Sequence, residues 1–257
     1  TSYQYPDGLF WAPDGSAFLS TWRVADDQWQ IVRFDLATLD YTVLVSSPHV
    51  VQFPAWSPDG GSIVYTETVN DSGSKLVGVH NLIVIDADGS NQRALTNDTT
   101  ERTFPVRATS WSPDGTQVVF EASYNDNLDI YTINAAGGAN PTQLTQNIDH
   151  DFNPFWAPDN RIYFISDRQR DAGVFYTLYH TTPQGGDPVL VNAQLEETIA
   201  FYFSPDASRI VAAPYIDDSY VGRNLVVTLI NGQQRVISTG DTSFIAIDSI
   251  GWQPSTE

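Results

Sequence analysis

The chain has 257 residues, with 31 acidic against 12 basic side chains, a formal net charge of −19 at pH 7, and no cysteine. A field of this sign repels phosphate backbones and anionic headgroups, which argues against nucleic acid and membrane surfaces as partners. The lack of cysteine removes disulfides, thiolate metal sites and thiol nucleophiles. No stretch approaches the roughly 18 consecutive apolar residues that a membrane span requires.

A short signature returns six times along the chain: an aromatic residue, one or two small or polar residues and a proline, usually followed by aspartate and a turn residue. Its aromatic positions, 45 to 55 residues apart, are Trp11, Trp56, Trp111, Trp156, Phe203 and Trp252. A near-constant period of this size is typical of a repeat architecture. Because the repeat runs from end to end, we predict a single domain over residues 1–257.

The second repeat shows the predicted unit most clearly. Four short segments rich in β-branched and aromatic residues are separated by turn residues, and they cover 51–57, 62–67, 81–85 and 92–96. Such strands form a small antiparallel sheet that cannot bury both of its faces alone. Stacking successive sheets around a ring solves this problem, so the sequence predicts an all-β propeller with four strands per blade.

The other repeats fit the same template, and no segment shows sustained helical periodicity. In the fourth repeat we expect a turn at Gly185-Gly186. The predicted outer strands of the third, fourth and fifth repeats are 117–121, 128–133, 142–145, 161–166, 174–179, 189–191, 209–212, 225–230 and 235–238.

Several of these motifs together resemble the TolB-like, WD-repeat-related β-propeller family. They are the Trp56-Ser57-Pro58-Asp59-Gly60 turn, the Asp129-Ile130-Tyr131 start of a third strand, the turn at residues 86–91, and the Leu95-Thr96 and Leu144-Thr145 pairs. The resemblance covers nearly the whole chain. It implies a periplasmic, secreted or cell-surface interaction module rather than a particular chemistry.

The repeats supply six inner strands but only five full sets of outer strands. The sixth inner strand is predicted at residues 246–252. We favour a six-bladed ring whose last blade takes its outer strands from residues upstream of Thr1 or from a protein partner; a five-bladed ring with a terminal extra strand is the alternative. An inner strand left unpaired would invite other strands.

Two recurring residue types are interpreted as structural. The signature aromatic residues are expected to form the core between blades. The signature aspartates, at positions 14, 59, 114, 159 and 206, are expected to bond their own turns. The turn at Asp86–Asn91 resembles the opening of a calcium loop, but it lacks the distal glutamate, so we expect a hairpin turn.

Function is expected in the longer loops, which share the face opposite the short turns. We predict that the protein is a non-catalytic scaffold that binds a protein partner there, without cofactor or metal. His150 and Asp151, with His49, are candidate metal ligands, but none of the four histidines forms a local ligand pair. The predicted binding residues are Arg107, His150, Asp151, Tyr215, Asp217, Asp218, Tyr220 and Asp248.

Two alternative functions remain open. In a carbohydrate-active hydrolase, carboxylates would meet at the central channel; the candidates are Asp7, Asp151 and Asp248, with His150 or Arg107 adjusting their pKa values. The chain could instead be the gating propeller of a larger peptidase. No Gly-x-Ser-x-Gly motif is present in the sequence, so it contains no such serine nucleophile.

Overall fold

A computed structural model describes residues 8–69, 78–100, 106–124, 127–169, 176–191, 198–203, 209–214, 224–229 and 234–238. These residues form twenty strands and no helix. The strands build five antiparallel sheets, each made of four strands that follow one another in the chain. The predicted all-β fold of four-stranded repeats is therefore confirmed.

We number the sheets in chain order. Sheet 1 contains β1 (Phe10–Trp11), β2 (Ala17–Ala25), β3 (Gln28–Asp35) and β4 (Tyr41–Ser47). Sheet 2 contains β5 (Val50–Trp56), β6 (Ser62–Val69), β7 (Val79–Asp86) and β8 (Arg93–Ala94). Sheet 3 contains β9 (Arg107–Trp111), β10 (Gln117–Ala122), β11 (Asp129–Asn134) and β12 (Thr142–Gln143).

The last two sheets repeat the pattern. Sheet 4 contains β13 (Asp151–Trp156), β14 (Ile162–Ser166), β15 (Thr177–Thr182) and β16 (Gly185–Leu190). Sheet 5 contains β17 (Thr198–Phe203), β18 (Arg209–Pro214), β19 (Asn224–Leu229) and β20 (Gln234–Ser238). The sixth predicted inner strand, at 246–252, lies outside the described residues.

The signature forms the turn between the first and second strands of a sheet. Its fifth residue has a left-handed backbone at Gly15, Gly60 and Gly115, with φ near 70°, and at Asn160, with φ of 62°. This conformation is accessible to glycine and, among other residues, best tolerated by asparagine. The aspartates act as predicted, each accepting a backbone N–H two residues ahead at Asp14, Asp59, Asp114 and Asp159. Position 206 lies outside the described residues.

The turns between third and fourth strands are also tight. Asp86–Asn91 forms the predicted hairpin turn, in which the Gly89 N–H donates to the Asp86 carbonyl at 2.9 Å. Gly89 has φ of +88°, and a Cβ there would lie 2.8 Å from the Leu44 carbonyl oxygen. The prediction of a turn at Gly185-Gly186 is wrong, because the turn lies two residues earlier, at residues 183–184. Those glycines begin β16, because Thr182 pairs with Gly185 across the turn.

The sheets stack through one repeated contact. In each of sheets 2 to 5, the face that carries the signature aromatic packs on the preceding sheet. At the 2/3 interface, Val64, Leu82 and Val84 of sheet 2 meet Trp111 and Phe120 of sheet 3. The other interfaces are built from Leu19, Ile31, Trp56 and Ile63 (1/2), Val119, Ile130, Trp156 and Ile162 (3/4), and Tyr163, Ile165, Phe201 and Phe203 (4/5).

The signature aromatics do not all lie in the core. Trp111 and Trp156 are buried, and Trp56 and Phe203 are half-buried against neighbouring sheets, as predicted. Trp11 is 53 % exposed, so the prediction is wrong there. The physical reason is that no described sheet precedes sheet 1 and covers that face. Trp252 lies outside the described residues.

The candidate binding face and the charges beneath it

The order of the strands divides the loops between two ends of the sheets. The signature turns and the turns between third and fourth strands lie at one end, here called the turn face. The connections between second and third strands and from each sheet to the next lie at the other end, here called the loop face. Functional groups of repeat proteins commonly collect on such a face, since its loops vary without disturbing the stacking.

The connection from sheet 3 to sheet 4 presents an apolar side chain to solvent. Ile148, at the tip of this connection, is 95 % exposed. The amide of Asn127 donates to the two carbonyls that flank it, those of Asn147 at 2.9 Å and Asp149 at 2.8 Å. A third bond, from the Asp149 N–H to the Asn147 side-chain oxygen, closes the tip at 2.8 Å. The loop is therefore braced in one conformation while its isoleucine stays outside.

A second part of the loop face lies on sheet 1. Val24, near the end of β2, is exposed, and the carboxylate of Asp26, in the connection to β3, is 98 % exposed although Arg23 contacts it at 3.2 Å. An open cleft of about 600 Å³ lies beside it, lined by Ala25, Asp26, Asp27, Gln28, Ser46, Ser47 and Pro48. The cleft is acidic, with no basic side chain among its lining residues.

Beneath the Ile148 loop lies a buried ion pair. Asp151 is fully buried, and Arg168 contacts both of its carboxylate oxygens, at 2.8 and 3.0 Å. The Arg168 side chain also donates to Ser166 at 2.8 Å and stacks over the ring of Tyr179. Burying a carboxylate is costly unless it is paired in this way. Asp151 is thus a structural residue under the loop rather than an exposed contact.

A second carboxylate lies nearby, at the start of β11. Asp129 is 2 % exposed and accepts hydrogen bonds from Gln143 at 3.0 Å and Thr145 at 3.2 Å. Burial, with a smaller contribution from the charge of Asp151, raises the pKa of Asp129 to about 6, although the hydrogen bond from Thr145 acts to lower it. Asp129 therefore titrates in a mildly acidic range.

Sheet 2 has the same arrangement with an amide in place of the acid. There the Thr96 hydroxyl donates to Asn81 at 3.0 Å and accepts the Leu82 N–H at 2.9 Å. In sheet 3 Thr145 likewise accepts the Ile130 N–H, at 3.0 Å. The Leu-Thr pairs noted in the sequence thus fix the fourth strand to the third.

The structure describes only part of the predicted binding set. The His150 ring accepts the Leu128 N–H at 3.2 Å, and its own backbone N–H donates to Asp167 at 2.7 Å, so it braces the same loop. Arg107 is the first residue of β9, and its side chain is not among the parts that the structure describes. The remaining predicted residues lie outside the described residues: Asp7, Tyr215, Asp217, Asp218, Tyr220 and Asp248.

Sequence reasoning missed the two residues that organise this region. Asn127 belongs to no motif in the sequence. Arg168 is one of many charged residues in the loops of the predicted face, and nothing in the sequence distinguishes it from the others. The signal available was weak: a charge of opposite sign 17 residues after Asp151, at the end of the adjacent strand.

Asp151, a candidate channel acid, is fully buried in its pair with Arg168. Within the described ranges, no group of three or more His, Cys, Asp or Glu side chains is placed to hold a metal ion. Among the same residues, no helix has the length and apolar character needed to cross a membrane.

Four-stranded antiparallel sheets that stack through one repeated aromatic, with short turns at one end and variable loops at the other, define a β-propeller. A family model described as the TolB beta propeller domain matches residues 103–244, more than half of the chain. The chain therefore belongs to the TolB β-propeller family.

Solved structures share this fold at low sequence identity. TolB from Acinetobacter baumannii is 19 % identical with a TM-score of 0.69, covering 92 % of this chain and 54 % of that one. An oligogalacturonate lyase from Vibrio parahaemolyticus is 17 % identical with a TM-score of 0.66, covering 89 % and 64 %. A puromycin-hydrolyzing peptidase from Mycobacterium tuberculosis is 15 % identical with a TM-score of 0.66, covering 91 % and 38 %. The chain thus spans less than two thirds of each of these proteins.

Proposed function

We propose that this protein is an extracytoplasmic, non-catalytic propeller that binds a protein partner through its loop face. The braced Ile148 loop is the observation that carries the proposal. An isoleucine left 95 % exposed while hydrogen bonds fix both neighbouring carbonyls is a preorganised apolar anchor. A preordered anchor loses little conformational entropy on binding, which favours affinity.

Charge defines the chemistry of the partner. The protein carries a net charge of −19, and the loop face exposes carboxylates around its apolar tips, such as Asp26 beside Val24. Complementary potentials speed association and select partners. The partner we propose is a protein with an apolar socket bordered by lysine or arginine.

The assignment as non-catalytic and extracytoplasmic rests on two supports. The similarity to TolB provides the first. The second is that Asp151 is neutralised by Arg168 and fully buried, which leaves it unsuited to act as a nucleophile or general base on a sugar. Fractionation of the source organism tests the location; recovery of the protein only from the cytoplasm would contradict it.

Variants on the two faces test the binding proposal. We expect Ile148→Asp to weaken partner binding at least tenfold, because it places a charge where an apolar contact is buried. The matched control is Leu39→Asp on the turn face, where the leucine is 78 % exposed and already has a left-handed backbone. That change should leave binding unaltered.

The measurement starts by capturing the partner from extracts of the source organism with the purified protein, and then determines the Kd of each variant by calorimetry. Asn127→Ala sharpens the result, since it keeps the isoleucine but removes the two bonds that brace the loop. It should weaken binding less than Ile148→Asp does. Equal Kd values for Ile148→Asp and Leu39→Asp would refute the proposed face.

The catalytic alternatives are distinguished by different experiments. The oligogalacturonate lyase and the peptidase share the fold. Incubation of the purified protein with oligogalacturonates and with aminoacyl substrates, followed by product analysis, tests both activities. Turnover that survives Ile148→Asp would replace the scaffold proposal with an enzymatic one.

A further inference from the structure

The Ile148 loop is braced through the side-chain amide of Asn127. This amide has two hydrogens, and both are donated to carbonyls of the loop, that of Asn147 at 2.9 Å and that of Asp149 at 2.8 Å. The amide oxygen Oδ1 is buried and accepts no hydrogen bond from any described residue. Buried polar atoms without a partner are rare in folded proteins, so the surroundings of this oxygen call for a physical explanation.

The carboxyl of Asp129 lies beside this amide. The side chain of Asn127 acts to lower the pKa of Asp129, as a hydrogen bond to an ionised carboxylate does, which places the two groups within reach of each other. Asp129 is 2 % exposed and accepts hydrogen bonds from Gln143 and Thr145. Burial and the charge of Asp151 prevail over these bonds and raise the pKa of Asp129 to about 6. The carboxyl is therefore mostly neutral in mild acid and mostly ionised above neutral pH.

The two charge states of Asp129 act differently on the neighbouring amide. An ionised carboxylate accepts a stronger hydrogen bond than a backbone carbonyl does, so it competes for the two hydrogens that Asn127 donates to the loop. A neutral carboxyl has no such advantage, and its hydroxyl is a donor of the kind that the amide oxygen lacks. The neutral state thus favours the amide orientation seen in the structure, whereas the ionised state favours a rotated amide.

We propose that Asn127 is a proton-controlled switch of the Ile148 loop. When Asp129 is neutral, the amide binds both loop carbonyls and holds Ile148 in place. When Asp129 is ionised, the amide turns an N–H toward the carboxylate, and the loop loses at least one of its two bonds to Asn127. The loop is therefore better ordered in mild acid than at neutral pH.

Other titratable groups surround the pair. The described charged or titratable side chains on the neighbouring elements are Glu121 on β10, Asp149 and His150 in the loop, Asp151 on β13, and Asp167 and Arg168 after β14. Of these, His150 acts on the same loop with the opposite sign. Its ring Nδ1 accepts the Leu128 N–H at 3.2 Å, and protonation of that nitrogen would remove the bond and loosen the loop in acid. The direction of the response therefore distinguishes the two groups.

NMR relaxation of the purified protein, without any partner, tests the switch. The backbone order parameter of Ile148 should fall from about 0.85 at pH 5, the value of a rigid backbone, to about 0.6 at pH 7.5. In Asp129→Asn no charge appears, so the order parameter should keep its acid value at both pH values. The matched control is Asp114→Asn, which changes a carboxylate in the signature turn of the same sheet and should keep the parent response.

The parent protein gives a result even if a variant fails to fold. An order parameter of Ile148 that is equal at both pH values, or that is lower at pH 5, would overturn the proposal. So would a fall at pH 7.5 that persists in Asp129→Asn. The variant His150→Gln should keep the parent response, and loss of the response there would assign it to the histidine.

The effect of the switch on partner binding rests on the proposed function, whereas the change in the loop does not. With the captured partner, Asp129→Asn should match the parent Kd at pH 5 and have a Kd about fivefold lower at pH 7.5, the effect of about one hydrogen bond. Equal Kd values at pH 7.5, with binding still sensitive to Ile148→Asp, would retain the proposed function and overturn its regulation. A pH-dependent loop with no binding that depends on Ile148 would support the switch and refute the proposed function.

Discussion

The 2/3 and 3/4 interfaces are made by the same repeat and yet are held together by different chemistry. At the 2/3 interface the apolar contact is completed by the Trp111 indole, which donates across to sheet 2, and by the Thr66 hydroxyl, which donates to the Val106 carbonyl at 3.1 Å. At the 3/4 interface the Trp156 indole donates within its own sheet, to Asn160.

Charge replaces that cross-sheet bond at the 3/4 interface. Glu121 of sheet 3 accepts the Asn153 N–H of sheet 4, and the buried pair of Asp151 and Arg168 lies at the loop end beside Asp129. Both interfaces keep the aromatic contact, whereas the polar groups around it are neutral at the 2/3 interface and include charged groups at the 3/4 interface. The charged groups of the 3/4 interface lie beneath the loop that presents Ile148.

The largest expected effect comes from breaking the buried ion pair of sheet 4, beside the 3/4 interface. Arg168→Ala leaves Asp151 buried without its partner, and we expect a loss of about 3–5 kcal/mol in the free energy of unfolding. Urea denaturation followed by tryptophan fluorescence measures it. The matched control is Arg161→Ala, whose pair with Asp159 is largely exposed, and which should cost about 0–1 kcal/mol.

Removing the acid as well should restore much of that loss. In the double variant Asp151→Asn with Arg168→Ala neither charge of the pair remains, so its destabilisation should be smaller than the sum of the two single changes. Additive losses would mean that the two side chains do not act as a pair.

An intermediate effect is expected at the apolar interface. Trp111→Phe removes the bond to the Ala55 carbonyl and part of the buried ring, and should lower the free energy of unfolding by about 1–2 kcal/mol. Trp22→Phe is the control, because that ring is half-buried and its indole makes no hydrogen bond with the described residues. If both variants unfold at the same urea concentration, the cross-sheet bond contributes nothing.

The smallest effect concerns pH and compares Asp129 with its amide counterpart Asn81. The pKa of Asp129 is raised from 3.8 to about 6, so its contribution to stability is present below pH 3.8 and is lost as the pH rises through about 6. Asp129→Asn should therefore become more stable relative to the parent protein between pH 4.5 and 7.5, by about 1 kcal/mol, because solvent screens part of the shift.

Thermal unfolding at both pH values measures this difference. Asp114→Asn is the control of opposite sign: hydrogen bonds from Ser112 and Thr116 lower the pKa of Asp114, so that carboxylate stabilises the fold at neutral pH and ceases to do so in acid. A stability difference between Asp129→Asn and the parent protein that does not change with pH would contradict the assignment of Asp129.

The fold was predictable because its determinants are local. The left-handed turn position at Gly60 and the β-branched and aromatic residues of β6 lie within a few residues of one another. The charged contacts were less predictable, since Glu121 meets Asn153 only after sheets 3 and 4 have stacked, and Arg168 meets Asp151 only after β13 and β14 have paired. The exposure of Trp11 could not be foreseen either, because the Trp11 motif follows the same sequence pattern as the motifs whose tryptophans are covered by a preceding sheet.

The candidate site was predictable only as a face. Strand order alone assigned the connection from sheet 3 to sheet 4 to the loop face, and His150 lies there as predicted. The prominence of Ile148 depends on two bonds from Asn127, 20 and 22 residues away from their acceptors, and no motif marks such bonds in the sequence.

Hydrogen exchange of the tryptophan indole groups, followed by NMR, tests the central claim that sheets 2 and 3 each bind the preceding sheet through the signature tryptophan. The account predicts that the Nε1–H groups of Trp56 and Trp111 exchange far more slowly than that of Trp22, because each donates to the preceding sheet. Exchange at Trp56 and Trp111 as fast as at Trp22 would contradict it.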